Sequence, residues 1–246
     1  MSLASARPDF GRIAERYDEL RPADEAWQLA VDALVREGHI AGKRVLDVGC
    51  GTGRLCAALE ALGSRAAGVD ASAEMLAVAR SRLPEGTVLE QARAESLPFG
   101  DASFDRVTMQ LSVHLLDRPT AFAETARVLA PGGRIAICTF DPTSFERFFL
   151  CRLFPSVLEI DLRRFPPAER LEAELLAAGF GTVRVTPLYH EKVRTKADTL
   201  ERIRGRYIST LQLIGDDELE AGLVQAEREL PDRFVVGSSM LIVVGD

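Results

Sequence analysis

The three glycines of the stretch VLDVGCGTGRL, residues 45–55, are the residues whose spacing points most directly to chemistry. Gly49, Gly51 and Gly53 follow a short apolar run, at the point where a strand is expected to turn into a helix. Glycine has no Cβ, so a loop of this kind lets a ligand approach the backbone closely. Ligands of alternating α/β sheets bind beyond the carboxyl ends of the strands, and the pattern therefore predicts a nucleotide-binding loop.

Glycine spacing and a nearby carboxylate distinguish two classes of cofactor. A dinucleotide site needs G-x-G-x-x-G, and Arg54 stands where that pattern has its third glycine. Asp47 precedes Gly49 by two residues, and a carboxylate there suits a cofactor with an ammonium better than one with a pyrophosphate. S-adenosylmethionine has an ammonium, a ribose diol and an adenine, and it has no phosphate. Asp70, at the end of the second expected strand, could bind ribose hydroxyls in either class.

Four features in the same order resemble the motifs of class I S-adenosylmethionine-dependent methyltransferases. They are the glycine loop, Asp70, the segment AESLPFGDASFDRV and the segment ARVLAPGGRIAICTF, which together span about residues 40–140. The chain resembles the small-molecule branch, methyltransferase type 11, which includes the quinone-biosynthesis methyltransferases. This resemblance implies S-adenosylmethionine as cofactor, S-adenosylhomocysteine as product and a small molecule as acceptor.

The resemblance also implies which residues contact the cofactor. The methionine end would be held by the loop and by the residues after the fourth strand, namely Asp47, Gly49, Cys50, Gly51, Gly53, Gln110 and Leu111. The nucleoside would be held by Asp70 at the ribose hydroxyls and by Ala71 and Met75 beside the adenine. Relatives usually carry Asp where this chain has Arg93, so the remaining adenine contacts are expected from Ala94 and Glu95.

Two further segments are candidates for closing the site and for proton transfer. The N-terminal stretch RIAERYDELRP resembles an arm in which Tyr17 and Arg21 close over the methionine end of the cofactor. The same residue pattern also fits a solvated amphipathic helix. His114 lies four residues after Gln110, where this branch presents a side chain to the acceptor. Its unperturbed pKa suits a general base, and the alternative is a packing or capping histidine.

Residues that could bind the acceptor occur in the second half of the chain. Arg202, Arg204 and Arg206 could clamp an acidic acceptor, or could form a solvated helix face. An apolar acceptor pocket or a packed core could contain Phe145, Phe148, Phe149 and Phe154.

The elements that must position these residues alternate between strand and helix from Lys43 to Phe140. Such alternation predicts an α/β fold, a doubly wound Rossmann-like sheet with right-handed crossovers. We expect seven strands, mostly parallel with one antiparallel strand, in a single domain over residues 1–246. Within it we expect an N-terminal helical arm (1–40), a cofactor-binding core (41–140) and two insertions that cover the substrate (141–165 and 191–232).

Composition limits the class of protein. A net charge of −7 disfavours a general nucleic-acid binder. The four cysteines form no CxxC pair and no metal-ligand spacing, so we expect no metal site and a reduced, cytoplasmic location. No stretch is apolar enough to predict a membrane span.

Two other functions remain open on the sequence alone. An NAD-dependent oxidoreductase is disfavoured because Tyr189 is followed four residues later by Val193, which leaves no Y-x-x-x-K pair. A non-enzymatic protein with a methyltransferase-like fold is the second alternative, and Arg93 at the expected adenine site keeps it open. The acceptor, the methylated atom and the oligomeric state are not predicted.

Overall fold

A seven-stranded sheet forms the centre of the protein, and the computed structural model describes residues 8–246. The strands are β1 Arg44–Val48, β2 Arg65–Asp70, β3 Val88–Gln91, β4 Phe104–Gln110, β5 Leu129–Phe140, β6 Val183–Thr195 and β7 Arg233–Gly245. Their order is β3-β2-β1-β4-β5-β7-β6. β1 to β5 pair in parallel, and β7 is antiparallel to both β5 and β6. The predicted fold class, with one antiparallel strand, is confirmed.

Strand order reverses between β1 and β4, because the chain first builds outward to β3 and then returns to the other side of β1. In doubly wound sheets this switch point opens a crevice beyond the carboxyl ends of the strands. The glycine loop after β1 and the turn after β4 both lie at this crevice. The topology therefore brings together segments separated by about sixty residues of sequence.

Helices cover both faces of the sheet. They are α1 Tyr17–Leu20, α2 Glu25–Gly38, α3 Arg54–Ala61, α4 Ala73–Arg82, α5 Arg118–Val128, α6 Phe149–Leu153, α7 Pro155–Arg164, α8 Ala168–Ala177, α9 Lys196–Arg204 and α10 Asp216–Glu229. Alternate residues of β5 face opposite sides: Ile135 and Ile137 pack with α5 and α8, whereas Ala136 and Cys138 pack with α2, α3 and α4. Both faces are apolar, as expected for a parallel sheet covered on both sides.

A third apolar cluster lies apart from the sheet, in what we call the cap, residues 142–164 and 196–229. Leu150, Phe154 and Val157 from the first segment pack with Ile203 and Leu211 from the second. Leu20 of α1 belongs to the same cluster. The two segments that were predicted as insertions therefore share one core with the N-terminal arm, whose first seven residues lie outside the described part of the chain.

Three local expectations differ from the structure. The arm begins as a 3-10 helix, Phe10–Arg16, before the single α-turn of α1. Residues 141–165, expected to be a connection, contain the 3-10 helix Pro142–Arg147 and the helices α6 and α7. The segment ARVLAPGGRIAICTF predicts a helix that ends at Pro-Gly-Gly, but these three residues lie inside β5, because Leu129 already pairs with Phe104 before the register shifts.

Candidate functional site

The first of two cavities at the switch point, which we call the loop cavity, has a volume of about 390 Å³. Most of the residues predicted to bind a cofactor line it: Tyr17, Gly49, Gly51, Asp70, Ala71, Met75, Ala94, Glu95, Gln110 and Leu111. Phe10, Ser72 and Ser112 also line it and were not singled out from the sequence. Nothing in their residue types marked them, because they reach the cavity through the arm, a helix N-terminus and the turn after β4.

The glycine loop needs its glycines for two different reasons. Gly49 has a φ of +77°, and a Cβ there would lie 2.5 Å from the Cβ of Ser112. Gly51 has a φ of +54°, but a Cβ there would meet no atom within 4 Å. The space at Gly51 is the open interior of the loop cavity. A side chain at Gly49 would collide with the protein, whereas one at Gly51 would occupy space that a ligand can use.

Asp70 fixes the shape of the loop from the end of β2. Its Oδ2 accepts a hydrogen bond from the Gly51 amide at 2.9 Å, and its Oδ1 accepts one from the Ser72 amide at 2.9 Å. Burial raises the pKa of the Asp70 carboxyl, and these backbone donors oppose the rise. A carboxylate has about four acceptor sites, and the backbone amides leave part of this capacity for a ligand diol.

Arg93 lines the loop cavity, at the position where the resemblance described above implies Asp. Its Nε lies 3.2 Å from Oε2 of Glu95, and Oε1 of Glu95 accepts the Asp117 amide at 2.8 Å. Glu95 is thus held from both sides, with a side chain only 15% exposed. The arginine faces an acidic partner and leaves the loop cavity open.

Four predicted cofactor residues do not line the loop cavity. Cys50 turns its side chain toward Gly68 of β2, and Gly53 packs against Ala79 of α4. Arg21 lines the second cavity described below. Asp47 lies behind the loop, 2% exposed, where it accepts a hydrogen bond of 2.9 Å from the Thr108 hydroxyl. The structure thus places these four residues outside the lining of the loop cavity, and their contact with a cofactor stays a prediction.

Asp47 is expected to make stability depend on pH. Burial raises its pKa to about 7, so the folded protein keeps this carboxyl protonated while the unfolded chain ionises it. This contribution is present at low pH and is lost as pH rises toward 7. Relative to Asp47→Asn, the wild type should lose about 2–3 kcal/mol of unfolding free energy between pH 5 and pH 8. Urea unfolding at the two pH values measures this difference.

Asp105→Asn is the matched control for Asp47→Asn. Hydrogen bonds from Arg44 lower the pKa of Asp105 to about 2. Both its folded and unfolded forms are therefore ionised above pH 5, and its removal should not change the pH slope. An equal slope in the wild type and Asp47→Asn would contradict a protonated Asp47.

The second cavity, which we call the cap cavity, has a volume of about 440 Å³ and lies between the cap, α2 and the ends of β5 to β7. Tyr17, Gln110 and Leu111 line both cavities. Leu111 has a φ of +55°, which is strained for a leucine, and its amide donates to the Cys138 carbonyl at 2.8 Å. Strained residues of this kind cluster at functional sites, and here the strain lies where the cavities meet.

His114 lines the cap cavity and stacks on Phe165, with ring centroids 4.0 Å apart and an interplanar angle of 15°. Its Nε2 lies 3.5 Å from the Ser209 hydroxyl, and its Nδ1 is buried without a hydrogen-bond partner among residues 8–246. Burial, with help from the charges of Arg164 and Arg21, holds the pKa of His114 well below 6.5. The imidazole is therefore neutral at physiological pH.

Comparison with known proteins gives the family. A family model described as a methyltransferase domain matches residues 46–137. A demethylmenaquinone methyltransferase of Thermus thermophilus is 36% identical over 203 residues, which cover 70% of this chain and 90% of the relative. The O-methyltransferase cnsE of Penicillium expansum is 34% identical over 244 residues, covering 89% of this chain and 86% of the relative. The chain belongs to the class I S-adenosylmethionine-dependent methyltransferases.

A solved structure agrees with this assignment at the level of the fold. A putative methyltransferase from an antibiotic biosynthesis pathway of Anabaena variabilis has a TM-score of 0.73 and 23% identity, and the match covers 86% of this chain and 95% of that one. Within residues 8–246 the methyltransferase has no cluster of side chains suited to a metal ion. None of its described helices is both long and apolar enough to cross a membrane.

Arg54, which replaces the third glycine of the dinucleotide pattern, anchors the arm of the methyltransferase. Its Nε lies 3.2 Å from Oδ1 of Asp18, and its guanidinium donates to the Arg21 carbonyl at 2.5 Å. The same guanidinium lies over the Tyr17 ring at 5.8 Å and over the Trp27 ring at 5.4 Å. Asp18 in turn accepts the Thr52 hydroxyl of the glycine loop at 2.9 Å. The departure from glycine thus ties the arm to the loop.

Arg54→Ala is expected to loosen the arm and weaken binding of S-adenosylhomocysteine by about tenfold, since charge-assisted hydrogen bonds to Asp18 and the Arg21 carbonyl are lost. Calorimetry measures the affinity, and hydrogen exchange of residues 10–21 measures the loosening. Arg36→Ala is the control, because the exposed Arg36 forms an ion pair, among residues 8–246, only with its neighbour Glu37. Unchanged affinity and exchange in Arg54→Ala would show that the arm is held without it.

The remaining predicted acceptor residues separate into two groups. Of the three arginines proposed as a clamp, only Arg202 lines the cap cavity. Arg204 is exposed, and Arg206 binds the Leu211 and Ile214 carbonyls. Phe145 and Phe148 line the cavity, whereas Phe154 is fully buried in the cap core and Phe149 packs beside it.

Proposed function

We propose that the methyltransferase binds S-adenosylmethionine in the loop cavity and a small-molecule acceptor in the cap cavity. The observation that carries this proposal is that Tyr17, Gln110 and Leu111 line both cavities. Two ligands seated in these cavities would lie on either side of the same three residues. Transfer of a methyl group requires the donor carbon and the acceptor atom to be aligned, and much of the acceleration can come from this positioning.

The residues of the loop cavity fit the cofactor. Asp70 offers acceptor sites for a ribose diol, and Ala71 and Met75 line the neighbouring wall. The open space at Gly51 admits the ligand against the backbone. S-adenosylmethionine supplies a methyl group bound to a sulfonium. When the methyl group is transferred, the sulfur leaves as a neutral thioether and needs no protonation. The chain therefore has to orient the acceptor and keep water out, for which the arm and cap are placed.

His114 is the proposed general base for an acceptor that carries a proton. It is neutral, it lines the cap cavity, and one ring nitrogen has no protein partner among the described residues. A hydroxyl acceptor would give its proton to the imidazole as its oxygen forms the bond to the methyl carbon. Phe165 and Ser209 hold the ring in place.

The cytoplasmic location stays a prediction from composition.

Calorimetric titration of the purified protein tests the cofactor assignment. After removal of any copurified ligand, we expect micromolar binding of S-adenosylmethionine and S-adenosylhomocysteine and no binding of NAD. Gly51→Val is the matched variant: its side chain would lie in open space beside the loop cavity, and a β-branched residue at a φ of +54° would also strain the loop, so both effects should weaken binding. Binding of NAD, or equal binding to Gly51→Val, would contradict the proposal.

A further inference from the structure

The cap cavity is rich in cationic side chains although the whole protein carries a net charge of −7. Six cationic residues line it, Arg21, Arg54, Arg147, Lys192, Arg194 and Arg202, against the two carboxylates Asp24 and Asp161. A cleft lined by one sign of charge concentrates ligands of the opposite sign. The charge distribution therefore favours an anionic ligand and disfavours an amine.

Internal ion pairs account for only part of this charge. Lys192 pairs with Asp24, and Arg54 pairs with Asp18. Asp161, with a pKa raised by burial to about 6, accepts a hydrogen bond from Thr210 beside Arg164. Four cations of the cavity remain: Arg21 on the arm, Arg147 at the end of the 3-10 helix Pro142–Arg147, Arg194 on β6 and Arg202 on α9.

Arg194 on β6 and Arg202 on α9 share one carboxylate. Arg202 holds Asp198 at 2.8 Å, whereas Arg194 reaches the same residue only at 3.6 Å. Nε of Arg194 is buried without a hydrogen-bond partner in residues 8–246, and its side chain is 11% exposed. A guanidinium that is buried and incompletely paired can gain much from a ligand carboxylate.

Arg21 approaches the same region from the arm. No carboxylate in the described part of the chain lies within 4 Å of its guanidinium, which sits 5.6 Å from the Tyr17 ring centroid. The cations converge: Arg202 donates to the Leu20 carbonyl, next to Arg21, at 3.1 Å and shares Asp198 with Arg194. The guanidinium of Arg194 lies 5.8 Å from the Tyr207 ring.

Aromatic side chains form the rest of the cavity wall. Phe145 meets Phe165 edge to face at 5.2 Å, and Phe140 meets Phe165 at 6.0 Å. Trp27 lines the cavity from α2. Such surfaces bind flat apolar rings, while the cations bind a negatively charged group at one end.

We propose that the acceptor is an aromatic carboxylate, whose ring lies against Phe145 and Phe165 and whose carboxylate is bound by Arg194 and Arg21. This inference rests on the proposed function, because it takes the cap cavity as the acceptor site. The planar guanidinium of Arg194 matches a carboxylate in shape as well as in charge. Placing the charged end beside Arg21 leaves the ring between the arginines and His114.

Binding of paired probes in saturating S-adenosylhomocysteine tests the inference. The probes are a hydroxynaphthoate, the methyl ester of the same compound, and naphthyl phosphate, each titrated calorimetrically. We expect the hydroxynaphthoate to bind at least about tenfold more tightly than its ester. Arg194→Gln and Arg21→Gln should each remove most of this preference. Arg204→Gln is the matched control, because Arg204 is exposed and does not line the cavity.

Titration with S-adenosylhomocysteine distinguishes failure of the proposed function from failure of the carboxylate inference. Absence of its binding to wild-type protein would contradict the proposed function itself. If it binds, equal affinity for acid and ester would overturn the carboxylate inference alone. Tighter binding of naphthyl phosphate would also overturn it, as would failure of all three probes to bind. If Arg204→Gln also lost the preference for the acid over the ester, the preference would come from overall charge and not from Arg194 and Arg21.

Discussion

Replacing Asp70 by alanine is expected to weaken binding of S-adenosylmethionine by about 100-fold or more, because hydrogen bonds to a carboxylate are among the strongest available to a ligand. The effect has two sources. The ribose diol loses its proposed acceptor, and the Gly51 and Ser72 amides lose theirs. Calorimetry with S-adenosylmethionine and S-adenosylhomocysteine measures the loss directly.

Two further variants test whether the effect is specific to the Asp70 carboxylate. Asp70→Asn keeps one oxygen but places an NH₂ group against a backbone donor, so it should also bind weakly. Asp101→Ala removes an exposed carboxylate outside the loop cavity and should bind the cofactor normally. Wild-type affinity in Asp70→Ala would remove Asp70 from the site and would contradict the proposed location of the ribose.

His114→Gln is expected to lower kcat by about 10² to 10⁴ for a hydroxyl acceptor, the range that general bases contribute. Binding of S-adenosylmethionine should be unchanged, because His114 lines the cap cavity and not the loop cavity. Turnover is measured with the first acceptor that the wild type methylates. Full turnover of the variant at saturating acceptor would exclude the base.

The pH dependence provides a second test of His114. Its lowered pKa keeps the imidazole neutral on going from pH 8 to pH 6.5, so the acid limb of kcat/KM should begin below pH 6.5. NMR titration of the His114 ring should place its pKa well below 6.5. Ser209→Ala should lower kcat less than His114→Gln, because Ser209 only contacts the ring.

Much of the fold was predictable because local signals and the sheet pattern agree. Ser72 accepts the Met75 amide as the N-cap of α4, a residue type that favours this position, and all seven expected strands form. The helices α6 and α7 were missed because they are short and are held by burial of Leu150, Phe154 and Val157 in the cap. Such helices depend on tertiary packing, which no local period shows.

The candidate site was predictable where a residue acts through its position on the sheet. Asp70 ends β2 and Gln110 ends β4, the two strands that flank β1. Both residues line the loop cavity. Asp47 and Arg21 do not line the loop cavity, since the direction of a side chain at a strand end or in an arm is set by its neighbours. Arg54 was read only as a missing glycine, and its role in holding the arm needs the positions of Asp18 and Trp27.

The short arm has a consequence for the exchange of ligands with solvent. Leu20 is embedded in the cap core, Asp18 is bound to the glycine loop, and Tyr17 forms part of both cavity walls. Displacement of the arm would therefore open the loop cavity and the cap cavity together. Two products held in these cavities would leave in the same event, and the enzyme would then be free for its next cycle.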